Sequence, residues 1–384
     1  MHYSIFATKD AWISSGSNRR TGESFRDQNF GKDEILELRK RWWNKGFDYP
    51  TRLLISFAGD DFTSISQSFS DDDIEATHND YQPRFFLKLF EGEGNSELSE
   101  EYKLIAHPLS QSWTEGIGKS GDDPKVTNGV SWDNRKYDQG SSAVTWSNAD
   151  GTPSNGPNYI VGDVSGSGIN WASQSFNLQS PDIEMDVTDI CKGWMSGSNK
   201  NYGFMIMFSG SQETDETTSG QLKFFSRNTH TIYSPKLEVR WDDSNHLSPG
   251  TMTLNKLDHT GSVDNYVYPI GLRDKYKESE KVRFRFGARK RYIQKSFTTS
   301  VQAVSGSYIN GGSGSYSIKD LATGDTIIPF SSATTMSYDN TSNYFEQWMN
   351  TFEPNRAYKI LIKIKYDDGQ EVIHDNDFEF KVVS

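Results

Sequence analysis

Apolar and polar residues alternate with a period of two along much of the chain. Leu53, Ile55 and Phe57 are interleaved with Arg52, Leu54 and Ser56, and Phe85, Leu87 and Leu89 with Arg84, Phe86 and Lys88. Leu237, Val239 and Trp241 alternate in the same way with Lys236, Glu238 and Arg240. Successive strand residues point to opposite faces, so the pattern predicts strands with one face in a core and the other toward solvent or a partner. Residues 202–208 are almost continuously apolar between Gly and Ser, which predicts a central strand covered on both faces. Helical signals are few. Asp186 or Thr188 is placed to cap a short turn with Ile190 and Trp194 on one face at i, i+4. The composition of residues 34–43 also allows a helix, although it sits among strands.

The alternation pauses after Trp241. Asp242-Asp243-Ser244-Asn245 and Ser248-Pro249-Gly250 are polar and turn-rich. They predict two domains, 1–242 and 251–384, joined by an exposed linker over 243–250. Alternation then resumes, with Val282, Phe284 and Phe286 against Lys281, Arg283 and Arg285, and later with Tyr358, Ile360, Ile362 and Ile364 against Lys359, Lys363 and Lys365. Asp367-Asp368-Gly369 predicts a hairpin turn, because Asp and Gly tolerate positive φ. Tyr344, Phe345, Trp348, Met349 and Phe352 fall at helical spacing and predict an apolar helical turn between two sheets. Tyr358, following Pro354-Asn355-Arg356-Ala357, sits as in the tyrosine corner of immunoglobulin-like sandwiches, which is the type expected for the second domain. Residues 306–317, rich in Gly and Ser, predict an exposed loop.

Composition narrows the classes of function. The 384 residues carry 40 Lys plus Arg against 52 Asp plus Glu, a net charge of −12, which argues against nucleic acid as the main partner. A single Cys, Cys191, excludes an internal disulfide framework and is expected to be a small buried group beside Ile190. No apolar run approaches the ~20 residues that span a bilayer. The opening Met-His-Tyr-Ser-Ile-Phe lacks the basic and apolar regions of a signal peptide, so classical secretion is not expected.

Catalytic and metal motifs are sparse. Gly118-Lys119-Ser120 echoes the end of a P-loop, but Trp113 stands where the leading Gly is needed. Asp71, Asp73 and Glu75 have the spacing that opens a calcium loop, but Ala76 replaces its turn-forming Gly, so the run reads more simply as solvated charge. The seven His do not cluster, and His107, before Pro108, reads as a loop or partly buried residue rather than a base. No catalytic residue is expected, and metal ligands cannot be assigned. Trp42 and Trp43, beside Arg41 in a basic stretch ending at Gly46, are the candidate aromatic contacts, for a glycan face or a protein surface alike. Lys281, Arg283, Arg285, Arg289 and Arg291 form the candidate partner-binding cluster. The simpler alternative is a solvated sheet face balanced by nearby acids.

Six segments of the first 242 residues resemble, in order, the DNRLRE-type domain, a carbohydrate-binding-module-like jelly roll. They are Asp10-Ala11-Trp12-Ile13, Gln28-Asn29-Phe30-Gly31, the Arg52-led strand to Phe57, and Trp113-Thr114-Glu115-Gly116 with Val130-Ser131-Trp132-Asp133-Asn134-Arg135. Asp186-Val187-Thr188-Asp189-Ile190 with Trp194, and Phe224-Phe225-Ser226 with Ser234-Pro235-Lys236-Leu237-Glu238-Val239, complete the set. The resemblance implies a jelly roll with Trp113, Trp132, Trp171, Trp194 and Trp241 in core or turn positions, and a fold that can carry a structural calcium. It does not by itself imply an activity. Gly287-Ala288-Arg289-Lys290-Arg291-Tyr292, Ile327-Ile328-Pro329-Phe330 and the segments Asn343-Tyr344-Phe345 and Trp348-Met349-Asn350 look like the C-terminal domain of structural proteins of large tailed bacteriophages.

The expectation is therefore an all-β chain, a jelly-roll sandwich followed by an immunoglobulin-like sandwich. It would be a non-enzymatic virion protein of tail, baseplate or neck, present in multiple copies and docked on other virion proteins. Made in the host cytoplasm, it would need no signal and no disulfide. The alternative is an adhesin or receptor-binding protein that recognises host surface polysaccharide.

Overall fold

A computed structural model describes residues 1–17, 22–40, 42–43, 46–47, 50–70, 83–93, 101–138, 140–161, 163–164, 168–169, 171–177, 182–215, 217–258, 265–292, 296–301 and 305–384. The fold is all-β, with multiple sheets. It divides into an N-terminal unit, Ile5–Ser70 with Arg84–Glu238, and a C-terminal unit that contains Met1–Ser4 and Val239–Ser384.

The N-terminal unit is organised around a five-stranded antiparallel sheet. Its order is Ala172–Asn177, Glu101–Pro108, Phe204–Phe208, Thr51–Ser56 and Lys9–Ser14. Phe204–Phe208 lies at the centre, with every residue buried, as its continuous apolar run requires. Thr51–Ser56 differs from the expected half-exposed strand, since all six of its residues are buried. Leu54, on the face expected to meet solvent, instead joins a cluster with Trp113, Val130, Trp132 and Trp146. The tryptophan-bearing loop covers that face, so alternation here separates two cores and not core from water.

Among the described residues of 34–43 there is no helix. Ile35–Lys40 is a strand paired with Gly220–Phe225, placing Leu36 opposite Phe224 and Leu38 opposite Leu222. The period-two burial of Leu36 and Leu38 outweighs the helix-favouring Glu, Leu and Arg around them. The short helix does form, as Thr188–Met195, with Asp186 accepting bonds from the Thr188 amide and hydroxyl. Its Trp194 meets Phe204 at 4.7 Å and Phe62 at 5.4 Å, and Cys191 is fully buried.

Two sheets share one core in the C-terminal unit. Val282, Phe284 and Phe286 from Lys281–Lys290 face Ile360, Ile362 and Ile364 from Ala357–Lys365 and Phe378, Phe380 and Val382 from Glu371–Val383. Two local expectations fail here. Asn343–Trp348 is a strand running into a 3-10 turn, Met349–Thr351, because the alternate residues Phe345 and Gln347 are both buried as in an extended chain. Residues 306–317 are not an exposed loop, since Tyr308, Ile309 and Tyr316 are buried and Tyr316 stacks on Phe345 at 3.7 Å. The few apolar residues among the Gly and Ser decide the outcome.

Of the expected linker 243–250, Asp243, Ser244 and Asn245 are fastened into this unit, whereas Ser248, Pro249 and Gly250 are exposed. Asn245 donates its amide to Ser337 Oγ at 2.9 Å, Tyr338 donates back to the Asn245 carbonyl at 3.1 Å, and Ser244 is buried. The Met1 ammonium donates to the carbonyls of Trp241 and Ala333 and pairs with Asp243 at 3.2 Å. Asp367-Asp368-Gly369 turns the chain as expected, with Gly369 at φ 87° and Tyr366 donating its amide to the Gln370 carbonyl at 2.8 Å.

Tyr358 is buried, and its hydroxyl donates to the carbonyl of Glu353 at 3.0 Å, the bond expected of a tyrosine corner. Tyr358→Phe is expected to lower the unfolding free energy by about 1 kcal/mol without changing the denaturant slope, because one buried carbonyl loses its donor while the ring packing survives. Urea titration of the full chain measures this, and an unchanged midpoint would show that the bond does not hold the corner.

Candidate functional site

Two of the motif segments of the N-terminal unit, the 28–31 turn and the loop from Trp113 to Arg135, meet at Asn29. Its Nδ2 donates to the carbonyls of Glu115 and Val130, both at 2.7 Å, and its Oδ1 accepts the amides of Gly118 at 2.8 Å and Gly31 at 3.2 Å. The side chain is fully buried, so these four bonds replace the water it would otherwise hold. Gly116, at φ 90°, lets the loop approach: a Cβ there would come within 2.2 Å of the Asn128 carbonyl oxygen. Phe30 stacks on Trp12 at 3.8 Å, and the Trp12 indole donates to Asp33 Oδ2 at 2.7 Å. Arg52 lies over the Trp132 ring at 4.7 Å and pairs bidentately with Glu213, both bonds at 2.9 Å.

Beside this junction lies an ionic group. Glu115 accepts from Lys32 Nζ at 2.8 Å and from Arg227 Nη1 at 2.8 and 3.1 Å, and also takes the Asp10 amide at 3.1 Å. Asp10 is 1 % exposed; its Oδ2 accepts the Arg227 amide, and its Oδ1 has no hydrogen-bond partner. Burial, with repulsion from Glu115, pushes the Asp10 carboxyl up to about 7. His107 is shifted the other way, down to about 4, by burial and by the charge of Arg52. Its ring sits 4.5 Å from that of Tyr159.

The two groups are not an acid–base pair. Register places Ala11, Leu54, Met205 and His107 in one row across the sheet, and Asp10 one position along its strand from Ala11. Neighbours along a strand point to opposite faces, so Asp10 and His107 lie on opposite sides of the sheet.

The basic strand Lys281–Lys290 puts Lys281, Arg283 and Arg285 on the solvent face, as alternation requires, and its neighbour strand supplies the counter-charge. Lys281 reaches Glu346 at 2.9 Å and Arg283 reaches it at 2.6 Å; Arg285 pairs with Asp339 at 2.8 and 3.1 Å. Burial pushes the Glu346 carboxyl up, but the hydrogen bonds from Lys281 and Arg283 outweigh it and hold it below its ordinary range. Arg283 and Arg285 both cover the Tyr344 ring, at 4.7 and 5.1 Å. Arg289 lies 4.9 Å from the Tyr266 ring and donates to the carbonyl of Lys290, whereas Arg291 is exposed.

Trp113, Trp132, Trp194 and Trp241 are buried, as the resemblance implies. Trp171 is not. It is 39 % exposed, with Lys103 Nζ 5.4 Å from its ring. It shares a strand face with Ser173 and Ser175, and a cleft of about 370 Å³ nearby is lined by Tyr102, Lys103, Ser175, Phe176 and Gln212. The resemblance places Trp171 in a core or turn position without saying which; the polar Ser173 and Ser175 at i+2 and i+4 are the sign in the sequence of an open face. Trp42–Trp43 is a short strand paired with Gly46–Phe47, while Arg41 and the acidic positions Asp71, Asp73 and Glu75 lie outside the described residues. Among the described residues no group of three or more His, Cys, Asp or Glu is placed to hold a metal ion, and no helix is long and apolar enough to cross a membrane. No family model matches the chain, and no curated protein matches it.

Two outcomes follow from these contacts. Asp10, raised on folding, stabilises the protein below about pH 4, and that contribution is lost as pH rises through about 7. His107, lowered on folding, stabilises it above about pH 6.5, and that contribution is lost as pH falls through about 4. The two oppose each other over the same window, so the wild-type melting temperature should vary little there. Asp10→Asn should raise stability at pH 8 by about 1–4 kcal/mol and leave a net loss toward acid, whereas His107→Gln should leave a net gain. Melting curves at pH 4.5, 6 and 8 check this, and parallel profiles for all three proteins would refute it. Separately, Arg283→Glu with Arg285→Glu should cost about 1–3 kcal/mol in urea unfolding, since each new carboxylate faces Glu346 or Asp339. An unchanged midpoint would mean that the strand's ion pairs carry no stability.

Proposed function

We propose that the chain is a non-enzymatic structural protein of a tailed bacteriophage virion, a component of tail, baseplate or neck that connects other virion proteins. In this reading the N-terminal unit is a jelly roll of DNRLRE type and the C-terminal unit an immunoglobulin-like sandwich. The observation that carries the proposal is the meeting of two of the motif segments at Asn29. One side chain ties the Asn-aromatic-Gly turn to Glu115 and Val130, and the Arg-led strand packs its Arg52 on Trp132. Segments matched only by their order in sequence thus belong to one packed feature, which favours a shared fold over chance likeness. The Tyr358–Glu353 bond supports the second half of the reading in the same way. The groups with shifted pKa values also suit a scaffold, because Asp10 is sealed from solvent and holds a loop.

A second reading, recognition of a host surface glycan, is favoured by Trp171. An exposed indole beside an ammonium and serine hydroxyls can stack on a sugar ring and bond its hydroxyls.

Peptide mass spectrometry of density-purified particles tests the proposal. The protein should be found at a fixed copy number per particle, and purified protein should release no reducing ends from host polysaccharide. Absence from particles, or turnover abolished by a single carboxylate substitution, would overturn it. Retention of the wild type on immobilised host polysaccharide, lost in Trp171→Ala, would move the assignment to the second reading.

A further inference from the structure

The basic region of the C-terminal unit divides at Lys290. Before it, the cations are engaged on their own sheet. After it, the chain leaves that sheet and returns at Ser307, which pairs with Ala288 of the strand just left. The described residues of this excursion are 291–292, 296–301 and 305–306. Three large apolar side chains stand out from it: Tyr292 is 75 % exposed, Val301 98 % and Phe297 fully exposed. A local turn presents Phe297, with the Thr298 amide donating to the Ser296 carbonyl at 2.9 Å and the Thr298 and Ser300 hydroxyls 3.1 Å apart. Lys290 is paired with Asp258 at 2.8 Å, whereas Arg291 next to it meets no carboxylate among the described residues. Connections this long within a compact domain are uncommon and are usually functional or disordered. Here a held turn, and not a run of polar residues, carries the apolar groups outward.

Charge identifies what the arm fits. From Lys281 to Lys319 there are eight Lys and Arg and no Asp or Glu. Residues 239–384 hold 18 basic and 18 acidic residues and are neutral, whereas the N-terminal unit, Ile5–Ser70 with Arg84–Glu238, holds 22 and 29 and is net negative. The chain therefore contains both halves of a complementary pair. We infer that the arm docks on the N-terminal unit of a second copy of this chain. Phe297 and Val301 supply the apolar anchor, and Arg291 pairs with carboxylates at its rim. Aromatic anchors flanked by Arg are what interface hot spots are made of, and opposite charge sets orientation and encounter rate. Arm and acceptor are different surfaces, so the contact is either exchanged reciprocally in a two-fold pair or repeated head to tail in a ring or row of copies. The inference rests on exposure and charge, independently of the virion assignment, and a monomeric chain would leave that assignment intact.

Sedimentation velocity of the full chain over a concentration series, at 50 and 500 mM salt, tests it. The wild type should associate at low salt, with the dissociation constant rising at least tenfold at high salt. Phe297→Ser and Arg291→Glu should each weaken association at least tenfold while melting at the wild-type temperature, since neither side chain is buried. A wild type that stays monomeric at low salt would overturn the inference. So would association that both variants retain, or arm-dependent binding of DNA or phosphatidylserine vesicles by a chain that does not self-associate.

Discussion

The N-terminal unit depends on covering both faces of one sheet. Thr51–Ser56 and Phe204–Phe208 are buried throughout, and the outer of the two covers is a loop and not a second sheet. A loop buried over a sheet must satisfy its own backbone amides and carbonyls, since water cannot reach them. Asn29 meets that demand with two donors and two acceptor bonds to chain segments up to 101 residues away. The close approach it enforces explains Gly116. The tryptophans Trp113, Trp132 and Trp146 supply the apolar area that repays the ordering of so long a loop.

The same economy explains why an abundance of ionisable groups yields so few free ones. Glu115 serves Lys32 and Arg227 together; Glu346 serves Lys281 and Arg283; Asp320, 1 % exposed, takes Arg356 bidentately and two turn amides besides. A carboxylate that accepts several donors within a sheet or loop fixes geometry there, and removing it would strand the donors. Charges in this chain mostly set local register. Lys103 over Trp171 and Arg291 at the root of the exposed arm pair with no carboxylate among the described residues.

How much of this was legible in the sequence depended on whether the deciding contact was local. The strands Lys281–Lys290, Ala357–Lys365 and Glu371–Val383, the Tyr358 corner, the 367–369 turn and the short helix around Cys191 follow from spacing, and all are present. Residues 343–352 carry aromatics at helical spacing, but pairing of Phe345 with Phe284 of the neighbouring Lys281–Lys290, remote in sequence, fixes a strand. Residues 306–317 read as a loop by composition, although Tyr308, Ile309 and Tyr316 are buried. The basic cluster was legible as a cluster, but its division at Lys290 was not, because Glu346 and Asp339 reach it from 54 to 63 positions away.

Trp171 and Phe297 show the limit in its sharpest form. Both are large aromatics in a lean sequence, and burial is the default for such residues. Trp171 escapes it just before Ala172–Asn177, the outermost strand of its sheet. Phe297 escapes it because a turn of Ser and Thr hydrogen bonds holds it out from the sheet that brackets it. A fold that packs most of its aromatics into two cores and a loop cover has no structural need for these two in water. Their exposure is the place where selection for something other than stability is visible.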